Sequence, residues 1–205
     1  MWKPQLSPFA IYKKSVFDRA AKVVDFIYQI GETSTLREKS IPVNIKEISS
    51  PEIQAKINYL KDCLRRYRRL TGYGRGITGV QVGIPERISV IFTVDLEILT
   101  IINPKITKKS SKKYKYPEIC MSANPIIAPV VRPAWIEFSF HDETGSVKHW
   151  KTKDDTDQGR IMNRVFQHEI DHMEGVINID KVNHPKELIL ESDPAFYETA
   201  VFEEV

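Results

Sequence analysis

Cysteine is scarce in this chain: Cys63 and Cys120 are the two among 205 residues. Two thiols build no disulfide framework, which excludes the small stapled folds of secreted proteins and favours a reducing compartment. Long apolar runs are missing as well, and nothing approaches the length that a membrane span requires. The opening Met1-Trp2-Lys3-Pro4-Gln5 lacks the apolar core and small-residue cleavage site of a secretory signal. A cytoplasmic protein is therefore expected, with an organelle left open. The net charge of +3 is too small to argue for nucleic acid, and no specific DNA contact is expected. What is present is an ordinary globular composition, 41% hydrophobic and 28% charged, in a length that suits one domain with a proper core.

The most informative stretch is Phe166-Gln167-His168-Glu169-Ile170-Asp171-His172. Its His-Glu-x-x-His spacing sets two imidazoles one turn apart on a helix, where both can aim at one metal ion. Glu169 stands one position round, within reach of a water molecule at that ion without ligating it. Apolar residues at Ile161, Met162, Val165, Phe166 and Met173 fall at helical spacing, and the histidines extend the stripe begun by Ile161 and Val165. The acids Asp154 to Asp157 are expected to cap this helix at its start, and Gly175 to stop it. The plain alternative is a pair of satisfied core histidines, so a third ligand is needed.

Along the rest of the chain, Ser15 to Ile30 reads as a helix ended by Gly31, packed on the main body or, less simply, used for dimerisation. Ser49-Ser50-Pro51-Glu52 opens a second helix running to about Leu70, which buries Ile53, Ile57, Leu60, Leu64 and Tyr67. Five of nine glycines then fall between Gly72 and Gly83. No Gly-Lys-Ser/Thr follows them, which argues against a phosphate loop; an extended peptide lying alongside as an added strand is the preferred reading. Strands are expected at Ile88–Val94, Leu99–Ile102 and Trp135–Phe140, with Asp142-Glu143-Thr144-Gly145 turning into Val147–Trp150. Lys105–Lys115 holds six lysines and reads as a solvated loop, with a contact to ribosomal RNA as the functional alternative. The acidic C-terminal tail suggests a short terminal helix. No internal repeat is present.

The third ligand candidate lies in Pro117-Glu118-Ile119-Cys120-Met121-Ser122. Alone, Cys120 reads as a buried structural thiol. With the two histidines it completes a thiolate and two imidazoles, leaving a fourth position open, as catalytic rather than structural sites do.

With these residues in view the sequence resembles peptide deformylase. Three motifs of that family appear in order: Gly74-Arg75-Gly76-Ile77-Thr78-Gly79-Val80-Gln81, then Glu118-Ile119-Cys120-Met121-Ser122, then Gln167-His168-Glu169-Ile170-Asp171-His172. Leu36-Arg37, Pro42-Val43 and Val130-x-Arg132 also look like the family, so the resemblance spans about Leu36 to Asp180. Two departures stand out. The family usually has two alanines where this chain has Thr78 and Gly79, and a glycine where it has Ile119; all three are expected on walls of the substrate cleft.

The resemblance implies an α+β fold, with antiparallel or mixed sheets around a central metal-binding helix. It implies one domain over residues 1–205: an N-terminal helical extension (1–31), a catalytic core (32–180) and a tail (181–205). The implied activity is removal of the formyl group from the N-terminal formyl-methionine of nascent polypeptides. Cys120, His168 and His172 would hold one divalent ion, commonly ferrous iron in the family, with zinc, nickel or cobalt also accommodated. Glu169 would transfer the proton. Gln81 and the backbone N–H of Met121 would donate to the oxyanion. Gly74, Arg75, Gly76 and Ile119 would line the substrate. Gln167 and Asp171 would orient the ligands, Gln167 toward the sulfur, while Glu118 either pairs with Arg132 or stands as an unpaired surface carboxylate. Two rivals remain. One is a zinc endopeptidase whose third ligand lies downstream, where His184 is the only later histidine; the other is a non-catalytic homologue that binds formylated peptide or the ribosome.

Overall fold

The computed structural model describes residues 8–151, 156–191 and 201–205. Among them, three α-helices accompany two antiparallel sheets. The first sheet has the order β1 (Gly76–Thr78), β2 (Ile88–Phe92), β3 (Ile98–Lys109), β6 (Ile136–His141), β7 (Val147–Lys151). The second has the order β8 (Ile189–Leu190), β5 (Ile126–Pro133), β4 (Lys113–Ile119), β9 (Glu203–Glu204). No helix among the described residues is long and apolar enough to cross a membrane.

At β2 the first sheet is covered on both faces, so every residue of Ile-Ser-Val-Ile-Phe is buried and the strand reads as an apolar run broken only by Ser89. Alternate side chains of a strand point to opposite faces. Ile88, Val90 and Phe92 pack with Ile53, Ile57, Leu60, Leu64 and Tyr67 of α2 (Pro51–Thr71), whereas Ile91 packs with Met162, Phe166 and Ile170 of α3 (Asp157–Met173). Each such buried side chain contributes about 1.5–3 kcal/mol. Helix α2 has the boundaries its signals suggest. The Ser50 side chain accepts from the Ile53 N–H, Pro51 takes the first position, and Gly72 closes the last turn at φ +84°.

Helix α3 lies between the sheets and divides its residues among three directions. Met162, Phe166 and Ile170 go into the first sheet. Arg164 and Gln167 donate instead to backbone carbonyls of the second: Arg164 to Tyr114 O (2.9 Å) and Val130 O (2.5 Å), Gln167 to Pro133 O (2.9 Å). Ile161, Val165 and His168 line the cleft left between. Thr156 is the N-cap, accepting from the Gly159 N–H, with Asp157 in the first turn; the Asp154 and Asp155 of the expected acidic cap lie outside the described residues.

Several expectations are corrected. The helix expected over Ser15–Ile30 is α1, Pro8–Ala21. Beyond it Val23 and Ile27 still bury themselves in the core, but the backbone turns outward to other partners. Tyr28 N–H donates to Gln81 O and Ile30 N–H to Ser122 O, both at 2.8 Å, so this segment straps together the turns that carry the glutamine and the cysteine. Helical spacing alone does not distinguish such a strap from a continued helix. The lysine stretch is no loop: Lys105–Lys109 ends β3 and Lys113–Lys115 begins β4. Both faces of β3 are exposed beyond Pro104, so its sequence loses the alternation that marks a strand. Lys108, Lys112 and Lys115 are paired with Glu137, Glu204 and Glu187. Residues 192–200 of the tail lie outside the described residues, and where the expected terminal helix would continue, Glu203–Glu204 adds a short strand to β4.

The stop of α3 depends on glycine twice over. Gly175 has φ +75°, and a Cβ there would meet the Arg37 carbonyl oxygen at 2.4 Å. Gly175→Ala should therefore lower unfolding free energy by roughly 2–4 kcal/mol, from left-handed strain plus overpacking. Urea denaturation measures it.

Candidate metal centre

The centre forms where α3 meets the end of β4. Cys120 follows β4 directly and caps the short 3-10 turn Met121–Ala123. Its sulfur and the ring nitrogens of His168 and His172 lie within 4.8 Å of one another, the one such group of metal-ligating side chains among the described residues. Cys120 Sγ is 3.2 Å from His172 Nε2, and both residues are fully buried. Ligand atoms held around a tetrahedral ion at 2.0–2.3 Å stand about 3.3–3.7 Å apart, so this donor set needs little adjustment to close on one cation. His184 is excluded from the set. It is exposed, and its ring accepts from the Lys186 N–H at the start of the turn Pro185–Glu187, so the residue that joins the two helix histidines in this group is Cys120 and not a downstream histidine.

A chain of buried charge fixes this geometry. Glu118, 8% exposed, receives Arg132 in a two-pronged pair: Nε to Oε1 at 2.7 Å and Nη2 to Oε2 at 2.9 Å. Arg164 Nη2 adds a third contact at 2.8 Å. Glu118 Oε2 also stands 3.2 Å from His168 Nδ1, which leaves Nε2 of that ring for the ion. Arg132 Nη1 crosses to Asp171 Oδ2 at 2.5 Å, and Lys181 joins at 3.1 Å. Glu118 is thus paired, and Asp171 ties α3 through Arg132 to Glu118 on β4. Burial works to raise the Glu118 pKa, but the two guanidinium groups outweigh it and hold the carboxyl well below its usual range.

The histidines are pushed in opposite directions. For His168, burial acts to lower the pKa, but the Cys120 sulfur and Glu118 carry it up to about 10. For His172, burial first and the charge of His168 second hold it well below the ordinary value. Its Nδ1 has no hydrogen-bond partner among the described residues. Glu169, 5% exposed, has its pKa raised chiefly by burial, against the opposing pull of His168 and of the Thr78 hydroxyl.

A cleft of about 340 Å³ opens onto these groups. Gly74, Arg75, Gly76, Gln81, Glu118, Ile119, Met121, His168 and Glu169 line it, joined by Tyr67, Tyr73, Tyr116, Pro117, Arg164 and the α3 residues Ile161 and Val165. The tyrosines and Arg164 were not singled out in the sequence. Tyr67 reads as one more core position of α2, and only the fold shows that its edge reaches the cleft. Two strand edges border the space. Gly76 belongs to β1, which pairs on one side only, and Tyr116–Ile119 of β4 has no strand opposite β5 among the described residues. A Cβ at Gly76 would fall 2.4 Å from Glu169 Oε1, so only glycine lets the carboxylate lie there.

Three expected placements change. Thr78 and Gly79 are not cleft walls: they are buried behind it, with Thr78 Oγ1 donating to Glu169 Oε2 at 2.7 Å and Gly79 pressed on the Ile84 carbonyl. Ile119 does line the cleft, yet its backbone stays in regular register opposite Ile127. The amide near the sulfur belongs to Gln81, whose Nε2 is 4.0 Å from Cys120 Sγ and donates to Ser122 Oγ at 3.2 Å; Gln167 is spent on the carbonyls of Pro133 and Asn163. Gln81 is itself held by its own turn, its Oε1 accepting from the Thr78 N–H at 2.9 Å.

Removing one member of a buried ion pair leaves the other charge stranded. Arg132→Met should cost roughly 3–5 kcal/mol of stability in chemical denaturation. The loss should exceed that for the exposed Lys14–Asp18 pair, where Lys14→Met should change less than about 1 kcal/mol.

Comparison with known proteins identifies the family. The family model described as polypeptide deformylase matches residues 24–188. Peptide deformylase 2 of Prochlorococcus marinus strain MIT 9313 is 38% identical over 123 residues, and the alignment covers 58% of each chain. A peptide deformylase of Synechococcus sp. strain CC9605 is 39% identical over 117 residues, 55% of each chain. The matches thus span little more than half the length of these relatives. A third, from Prochlorococcus marinus subsp. pastoris, is 32% identical over 79% of this chain and 75% of its own. Among solved structures, a probable peptide deformylase from Synechococcus phage S-SSM7 superposes with TM-score 0.63 at 31% identity, covering 76% of this chain and 97% of the other. The peptide deformylase from Synechococcus elongatus, in complex with actinonin, gives 0.66 at 27% identity, covering 78% and 82%. By sequence and by fold, this chain belongs to the polypeptide deformylase family.

Proposed function

We propose that this protein hydrolyses the formyl group from the N-terminal formyl-methionine of nascent polypeptides, as a metal-dependent hydrolase of a linear amide. The observation that carries the reading is one buried carboxylate, Glu169, set in a cleft wall beside a convergent Cys120, His168 and His172. Those three residues would hold one divalent ion. A thiolate with two imidazoles suits ferrous iron, zinc, nickel or cobalt, and ferrous iron is the ion we propose in the cell. When bound, the ion supplies Lewis acidity, making water acidic near neutral pH and polarising a carbonyl oxygen.

The chain's own residues do the rest. Glu169 accepts a proton from water as the formyl carbon is attacked, then returns it to the departing amine nitrogen. Gln81 and Met121 line the cleft, and the Gln81 amide and the Met121 N–H would be the donors to the oxygen that becomes negative. Gly74, Arg75 and Gly76 on one side and Ile119 on the other border an extended peptide, which the open edges of β1 and β4 would bind through its backbone. Ile161, Val165 and Tyr116 give the methionine side chain an apolar wall. Contact with ribosomal RNA through Lys105–Lys115 is the weaker part of the reading, because Lys108, Lys112 and Lys115 are already in ion pairs. A nascent-chain substrate places the activity where translation occurs, and the cytoplasm is the compartment we propose.

Formate release from a formyl-methionyl peptide tests the reading, run without oxygen because ferrous iron beside a thiolate oxidises readily. The iron-loaded protein should release formate, and Glu169→Gln should lower kcat by about 10²–10⁴-fold. Absence of formate release from fully loaded wild-type protein would leave the non-catalytic binding reading in its place. Cys120→Ser should lose most of its bound metal by elemental analysis. Unchanged metal content would show that the sulfur is not a ligand.

A further inference from the structure

We infer that Thr78 is a positioning residue for proton transfer: its hydroxyl holds Oε2 of Glu169, so that Oε1 alone faces the cleft and carries the proton. The inference rests on the role proposed for Glu169, and it starts from a count of hydrogens. Thr78 is 0% exposed and its hydroxyl has one proton. Three acceptors surround Oγ1: Glu169 Oε2 at 2.7 Å, the Glu169 carbonyl oxygen at 3.2 Å and Ser89 Oγ at 3.3 Å. Ser89 directs its own proton to Ile77 O at 3.0 Å, so it does not donate back. The carboxylate is the nearest of the three and the only one that carries charge, and it takes the bond.

A second contact fixes the other half of the carboxylate. A Cβ on Gly76 would lie 2.4 Å from Oε1, 2.7 Å from Cδ and 2.8 Å from Cγ of Glu169. The carboxylate therefore lies flat against the backbone of β1, with Oε2 turned inward to Thr78 and Oε1 beside Gly76 on the cleft wall. Terminal carboxylate torsions are otherwise broad, and either oxygen can present itself. Here the two oxygens are inequivalent before substrate arrives, which removes one rotational search from the reaction.

The proton inventory closes. An O–H bond of water breaks and its electron pair forms the bond to the formyl carbon, while the proton goes to Oε1. As the C–N bond breaks, that proton passes to the amine nitrogen, leaving formic acid, a free amine and the original carboxylate; the acid then gives up its own proton to the amine, so that formate and an ammonium leave. Thr78 keeps its own proton throughout.

Thr78→Val preserves the shape and removes the hydroxyl, and Thr78→Ser restores it. Displacing a reacting group by about 1 Å can cost on the order of a hundredfold. In the iron-loaded protein, Thr78→Val should lower kcat by ~10–100-fold with KM within about twofold, and Thr78→Ser should return kcat to within about threefold of wild type. A spectroscopic arm needs neither turnover nor metal. In metal-free protein labelled with ¹³C-carboxylate glutamate, the infrared band absent from Glu169→Gln identifies this carboxylate. That band should shift in Thr78→Val and return in Thr78→Ser. A serine variant no better than valine, a fall confined to KM or to metal content, or a band unmoved by valine would each overturn the inference. Should wild type release no formate, the deformylase reading fails, and the infrared arm still decides whether Thr78 holds Glu169.

Discussion

The guanidinium of Arg132 is the constraint on which the site hangs. It sits 2% exposed between Glu118, two residues before the cysteine, and Asp171, one residue before the second histidine. One planar cation thus joins the strand that carries sulfur to the helix that carries nitrogen. A buried charge of this kind is costly to desolvate, and its attraction to two carboxylates does little more than offset that cost. Its benefit is geometric. Any drift of β4 along α3 breaks hydrogen bonds that no water replaces, so the three donors hold their separation through the protein's fluctuations. Asn178 reinforces the arrangement by donating to the Glu118 carbonyl at 2.9 Å.

The division of labour on α3 follows from that constraint. A helix that packs on one sheet through apolar side chains and meets the backbone carbonyls of another needs three kinds of side chain at three angular positions. Met162, Phe166 and Ile170 bury against the first, Arg164 and Gln167 saturate the edge of the second, and the histidines occupy the angle between. The arginine and glutamine are not incidental polar residues on an exposed face. They satisfy strand carbonyls that the helix would otherwise cover without partners.

Much of this was legible because the chemistry is local. The spacing of His168, Glu169 and His172 gives helical proximity directly, and the N-cap Ser50 and the stop at Gly175 are written as single residues. The two-sided burial of β2 shows as an apolar run broken only by Ser89. What sequence did not reveal lies in contacts between distant segments. Thr78 looked like a cleft wall until β1 was placed against α3, which turned its hydroxyl onto a carboxylate 91 residues away. Gln167 was expected beside the sulfur, but the turn at Thr78–Gln81 brings the Gln81 amide there instead. The strap at Tyr28–Ile30 carried helical spacing yet sent its N–H groups to Gln81 and Ser122, because tertiary partners outcompeted another turn. The lysines of β3 masked a strand held to β6 by its backbone ladder.

The edges of β1 and β4 have one more consequence. An unpaired strand edge on a flat surface invites a neighbour's sheet and leads to aggregation. Here both edges are recessed, with Tyr67 and Tyr73 among the residues of the same hollow. On the proposed function, a hollow of this kind would take a single extended chain end, whereas a strand embedded in a folded partner would bring its own layer behind it.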